Sequence, residues 1–84
     1  MYYILLTENE INGLNIHEMY LEVDEDGAVM RELGFDKENV LIHQYPSNHF
    51  KNGVYGLFDL VPFETKDLKS DIDENTFNEI WNKY

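Results

Sequence analysis

Residues 71–84, DIDENTFNEIWNKY, carry the pattern that most narrows what this chain can fold into. Phe77, Ile80, Trp81 and Tyr84 recur at i, i+3, i+4 and i+7, which predicts a helix with one apolar stripe. Asn75, Asn78, Glu79, Asn82 and Lys83 take its other face. Asp73 is placed to cap the first turn by accepting from a free N–H, and Ile72 before it is placed to pack on Phe77 as a hydrophobic staple. Glu74 and Lys83 put opposite charges at the ends of the dipole that favour them. A helix this short is marginal in water because its nucleus is costly, so the stripe needs a surface to dock on. The cap, the staple and that need assign Phe77, Ile80 and Trp81 to the chain's own core.

The residues upstream read as the strands of that surface. Tyr2 to Leu6 is β-rich and apolar at nearly every position, which suits a strand covered on both faces. Residues 8–15 mix Asn, Glu and Gly around Ile11 and Leu14 and read as a loop. His17 to Val23 alternates, with Met19, Leu21 and Val23 on one face and Glu18, Tyr20 and Glu22 on the other, the pattern of a half-exposed strand. Asp24-Glu25-Asp26-Gly27 then supplies a tight hairpin turn with an Asp-Gly pair. Ala28 to Phe35 resumes the alternation, with Val29, Leu33 and Phe35 inward, Met30 and Glu32 outward, and Arg31 interrupting the inward face, either at the sheet's end or paired with an acid across the hairpin. After a turn at residues 36–39, Val40 to Tyr45 forms the next strand. Residues 46–53 make a longer loop carrying Phe50, and Val54 to Leu60 is a further strand weakened by Gly56. The expectation is an α+β fold. A four- to five-stranded antiparallel meander carries one C-terminal amphipathic helix on the face presented by Met19, Leu21, Val29 and Leu33.

Eighty-four residues are enough for one core and no more, so residues 1–84 are expected to form a single domain. The absence of cysteine excludes disulfides and thiolate metal sites. No apolar run approaches the ~20 residues of a membrane span. Residues 1–10, MYYILLTENE, have no basic region before their apolar stretch and do not read as a signal peptide. A soluble, cytoplasmic protein is expected. Charge is the strongest compositional statement: 17 acids face 6 Lys and Arg, a formal net of -11. Residues 1–40 hold ten of the acids against Arg31 and Lys37 alone. Such a balance disfavours direct contact with nucleic acid or anionic membrane and suits a basic protein partner.

Chemistry is thinly signalled. The three histidines, His17, His43 and His49, stand at no metal-ligand spacing. Asp71-Asp73-Asn75 matches the first ligands of a calcium loop, but Thr76 replaces the required Gly and Asn82 the closing Glu, and capping explains the pattern better. No nucleophile motif or Gly-rich phosphate loop is present, and seventeen acids supply carboxylate pairs by number alone. No catalytic, cofactor or metal site is expected, and the chain does not read as an enzyme. Tyrosines among acids are more suggestive, since aromatic residues anchor interfaces. The candidate partner-binding residues are Glu18, Tyr20, Glu22, Asp24, Asp26, Tyr45 and Phe50, with Tyr55 a further exposed aromatic.

The stretch Tyr20-Leu21-Glu22-Val23-Asp24-Glu25-Asp26-Gly27, with Arg31 and Phe35 after it, then Leu60-Val61-Pro62, then Ile72 with Phe77, Ile80 and Trp81, resembles a family of small uncharacterised bacterial domains. In that family a Tyr-x-Glu-Leu/Val-Asp segment precedes an Arg-containing strand and the chain closes on an Ile…Phe…Trp helix. Its members are similar to immunity-type proteins of polymorphic-toxin loci. The resemblance implies a non-enzymatic inhibitor that neutralises a basic toxin or effector, with more than a surface role for Glu22, Asp24 and Arg31. The alternative is a phage-type acidic mimic of nucleic acid or an anti-defence inhibitor. A small enzyme comes third and requires a pocket gathering His43 or His49 with carboxylates.

Overall fold

The computed structural model describes residues 1–11, 15–47 and 63–84. Strands β1 (Tyr2–Ile11), β2 (Ile16–Val23), β3 (Val29–Phe35) and β4 (Leu41–Tyr45) form one antiparallel sheet in the order β1-β2-β3-β4. A short 3-10 turn (Thr65–Asp67) leads to helix α1 (Glu74–Lys83), which packs on the sheet. This is the expected α+β meander with its C-terminal helix. The expected strand over 54–60 lies outside the described residues, as do His49, Phe50 and Tyr55.

Two Asp-led turns set the meander. Asp24 Oδ1 accepts from the N–H groups of Asp26 and Ala28, both at 2.9 Å, and Gly27 completes the turn at φ +88°. Asp36 repeats the device, accepting from Glu38 at 2.9 Å and Val40 at 3.0 Å, with Asn39 at φ +65°. In both cases a short carboxylate satisfies the N–H groups that the reversal leaves without a ladder partner. Gly27 has a second reason to be glycine. Phe63 donates its N–H to the Gly27 carbonyl at 2.9 Å, and a Cβ at residue 27 would stand 2.0 Å from the Phe63 carbonyl oxygen.

At the helix, Asp73 is the N-cap, its Oδ1 accepting from Thr76 at 2.7 Å. Ile72 joins Phe77 in one apolar cluster, as a staple requires. The stripe tapers along the helix: Phe77 is fully buried, Ile80 and Trp81 are half-buried, and Tyr84 is exposed.

Three sequence expectations need correction. First, β1 runs on to Ile11 where a loop was expected from residue 8. Ile11 pairs with Ile16 across a register shift that begins after Thr7, so ladder pairing with β2 overrides the local Asn and Glu composition. Second, β2 is not half-exposed. Met19, Leu21 and Val23 are buried on one face while Glu22 is buried and Tyr20 half-buried on the other. Third, of the four residues expected beneath the helix stripe only Leu33 lies there, while Met19, Leu21 and Val29 stand on the opposite face. Tyr3, Leu33, Phe35 and Phe77 form the stripe's buried cluster, with Tyr20, Leu41, Ile72, Ile80 and Trp81 around them. Met19, Leu21, Val23 and Val29 belong instead to a second cluster with Ile4 and Ile16, against which Phe63 and Leu68 pack.

The reason is a β-bulge. Glu22 pairs with Arg31, but Val23 pairs with Val29, which leaves Met30 as the extra residue, 47% exposed. Val29 therefore shares a face with Val23, while Arg31, Leu33 and Phe35 stand on the helix face. Arg31 does not interrupt an apolar row; the row ends at the bulge and changes face.

Candidate functional site

The polar residues of β2 and β3 build a centre between sheet and helix. Glu22 and Arg31 are direct cross-strand partners, and the guanidinium grips the carboxylate with two bonds, Nε to Oε1 at 2.8 Å and Nη2 to Oε2 at 2.6 Å. Their side chains are 10% and 23% exposed. Such a fork is the strong, oriented form of an ion pair. The Tyr3 hydroxyl donates to Glu22 Oε2 at 3.0 Å, and Arg31 Nη2 also donates to Asn78 Oδ1 on α1 at 2.8 Å. The guanidinium carbon lies 4.8 Å from the centre of the Phe77 ring and 4.9 Å from that of Trp81. A cation so placed gains from both π faces. The hydrogen bond from Arg31 holds the Glu22 carboxyl below the ordinary carboxylate range, against the opposing effect of burial. Burial, reinforced by the Glu22 carboxylate, pushes the Tyr3 phenol up to about 12.

A second polar pair lies on the other face. His43 Nε2 stands 2.8 Å from Glu32 Oε1, with side chains 2% and 0% exposed. The two are diagonal neighbours, since Gly34 pairs with His43 and Glu32 with Tyr45. Gly34 makes the room: a Cβ there would meet Met19 Sδ at 2.9 Å and the His43 Cβ at 3.1 Å. His43 Nδ1 is buried and meets no hydrogen-bond partner among the described residues. The gathering of a histidine with a carboxylate that an enzyme would need thus occurs at His43, but in packed core. The pair lines neither of the two hollows described below.

The third arrangement is a strongly acidic end. The hairpin turn presents exposed Glu25 and Asp26, and the Phe63–Gly27 backbone bond brings exposed Glu64 beside it. The chain then returns along the outer edge of β1. Asp71 N–H donates to the Tyr3 carbonyl at 2.8 Å, Tyr3 N–H to Ser70 Oγ at 3.1 Å, and Leu5 N–H to Asp71 Oδ2 at 3.0 Å. That strap sets Asp71, Asp73 and Glu74, all exposed, around a hollow of about 570 Å³ also lined by Met1, Tyr3, Ser70 and Ile72. The N-terminal amine of Met1 reaches Glu25 at 3.1 Å, which ties the hollow to the hairpin. Among the cations of this end, Lys66 pairs with Glu64 at 3.2 Å on open surface. A smaller hollow of about 200 Å³ lies at the far end, between Tyr20, Phe35, Asn39, Ile80, Lys83 and Tyr84.

The seven candidate partner-binding residues do not form one surface. Glu22 is buried in the ion pair with Arg31, and Tyr20 sets its ring edge-on to Phe35 at 5.6 Å within the helix layer. Glu18 is half-buried beside Tyr20, opposite Phe35, and its charge joins burial in raising the Tyr20 phenol. Six residues of strand, roughly 20 Å, separate Glu18 from Asp24. Asp24 spends its carboxylate on the turn and is half-buried, so among the described candidates Asp26 alone is exposed. Tyr45 is half-buried near the end of β4, and Phe50 lies outside the described residues. Glu25, Glu64, Asp71, Asp73 and Glu74 were missed as site candidates. Run-like charge at residues 24–26 and 71–74 was the available signal, but nothing local says that the two runs meet.

Among the described residues no cluster of three His, Asp or Glu side chains could hold a metal ion, and no helix is long and apolar enough to cross a membrane. In comparisons with known proteins, no family model, no curated protein and no solved structure matches this chain.

Proposed function

We propose that this chain is a non-enzymatic acidic binding protein, an immunity-type inhibitor that neutralises a basic toxin or effector in the cytoplasm. The observation that supports the reading is that Glu25, Asp26, Glu64, Asp71, Asp73 and Glu74 are all exposed where the hairpin and the strap meet, in a chain of net charge -11. Asp71 and Asp73 each accept from a backbone N–H, and Glu25 and Glu64 are paired with the Met1 amine and Lys66. Exposed charge of one sign gathered at one end steers a cationic partner into encounter. The internal polar groups of β1, β2 and β3 support the same division. Glu22, Arg31 and Tyr3 are consumed in holding the layers together, so recognition falls to the hairpin tip and the strap.

The test replaces Glu25, Asp26 and Glu64 with lysine together, leaving Asp24 to cap its turn. A partner is first captured at low salt from native lysate and its on-rate measured against both proteins. We expect a basic partner whose association slows at least ~10-fold with the triple variant and loses most of its salt dependence. An unchanged on-rate would remove the acidic end from the interface, and capture of a neutral or acidic partner would overturn the reading itself.

A further inference from the structure

We draw no further inference here: the strongest candidate, the buried Glu32–His43 pair on the sheet face away from the helix, has an unpartnered Nδ1 atom but lines neither hollow, and nothing among the described residues shows what that atom faces.

Discussion

Among the described residues each face of the sheet buries one carboxylate, and the two are handled differently. On the helix face Glu22 meets an arginine fork directly across the strand pair, and the same guanidinium goes on to Asn78 and the rings of Phe77 and Trp81. On the other face Glu32 meets the His43 imidazole one strand away, deep in the core. The first arrangement, with the Tyr3 hydroxyl, joins four elements, β1, β2, β3 and α1. The second spans β3 and β4 and fixes how those strands pair. A buried charge pair is seldom a net gain over well-packed apolar residues, but removing one partner is costly. The helix-face pair is therefore expected to register the helix, since its Arg bonds Asn78 and stacks on Phe77 and Trp81 at one helix position.

The largest effect tests how far the helix face depends on apolar burial. Phe77→Ala removes the one fully buried side chain of α1 and should cost ~3–5 kcal/mol, most of what a domain this size has. Trp81→Ala, at a half-buried position, should cost clearly less in the same urea titration. Equal losses would mean that Trp81 carries the docking and that the taper of the stripe has been misread.

Next comes the Arg fork. Arg31→Ala strands the Glu22 carboxylate between the layers and should cost roughly 3 kcal/mol, while the double variant Glu22→Leu/Arg31→Met should recover most of it. If the double variant is stable but shows a dispersed or doubled set of Trp81 resonances, registration is the role of the pair. A single sharp set would leave the pair with no part in choosing the helix position.

The opposite face gives the matched comparison. Glu32→Ala leaves His43 Nε2 buried without the carboxylate and should cost about 1–3 kcal/mol, with the Trp81 environment unchanged because Glu32 pairs with Leu21 on the sheet face away from the helix. A shift in Trp81 fluorescence equal to that of Arg31→Ala would erase the distinction between the faces.

The smallest effects appear in pH titrations, and their signs differ. Glu22 has its folded pKa depressed, so its contribution is present above the ordinary carboxylate range and is lost as pH falls through the depressed value. Tyr3 has its folded pKa raised to about 12, which favours the neutral phenol. Its contribution is full below the ordinary value near 10 and is lost as pH rises towards 12. Tyr3→Phe should flatten that alkaline limb at a cost of about 1 kcal/mol at neutral pH, read from melting curves between pH 7 and 11. Persistence of the limb would assign it to another group.

Much of this architecture is legible without coordinates because its signals are local. Asp24-Gly27 and Asp36-Asn39 announce turns through side chains that bond their own backbone, and Asp73 with Ile72 announces the helix start in the same way. Face membership within β2 is equally local, since alternation has period two. The candidate site was less legible. Glu22 and Tyr20 looked exposed because an alternating strand reads the same whether its polar face meets water or an arginine on the next strand. The acidic end was invisible because the backbone bond from Phe63 to Gly27, which brings residue 64 to the hairpin, joins positions far apart in the sequence.

The amino-acid sequence by itself determined the order of the four described strands and the helix, the turns between β2, β3 and β4, and the helix stripe, because capping, turn chemistry and periodicity act over a few residues; it did not determine the length of β1. The tertiary structure alone decided which sheet face the stripe covers. One unpaired residue, Met30, moves Val29 to the far face and leaves Arg31 opposite Glu22 under the helix. A bulge is a property of two strands in register, and no single strand carries the information to predict it.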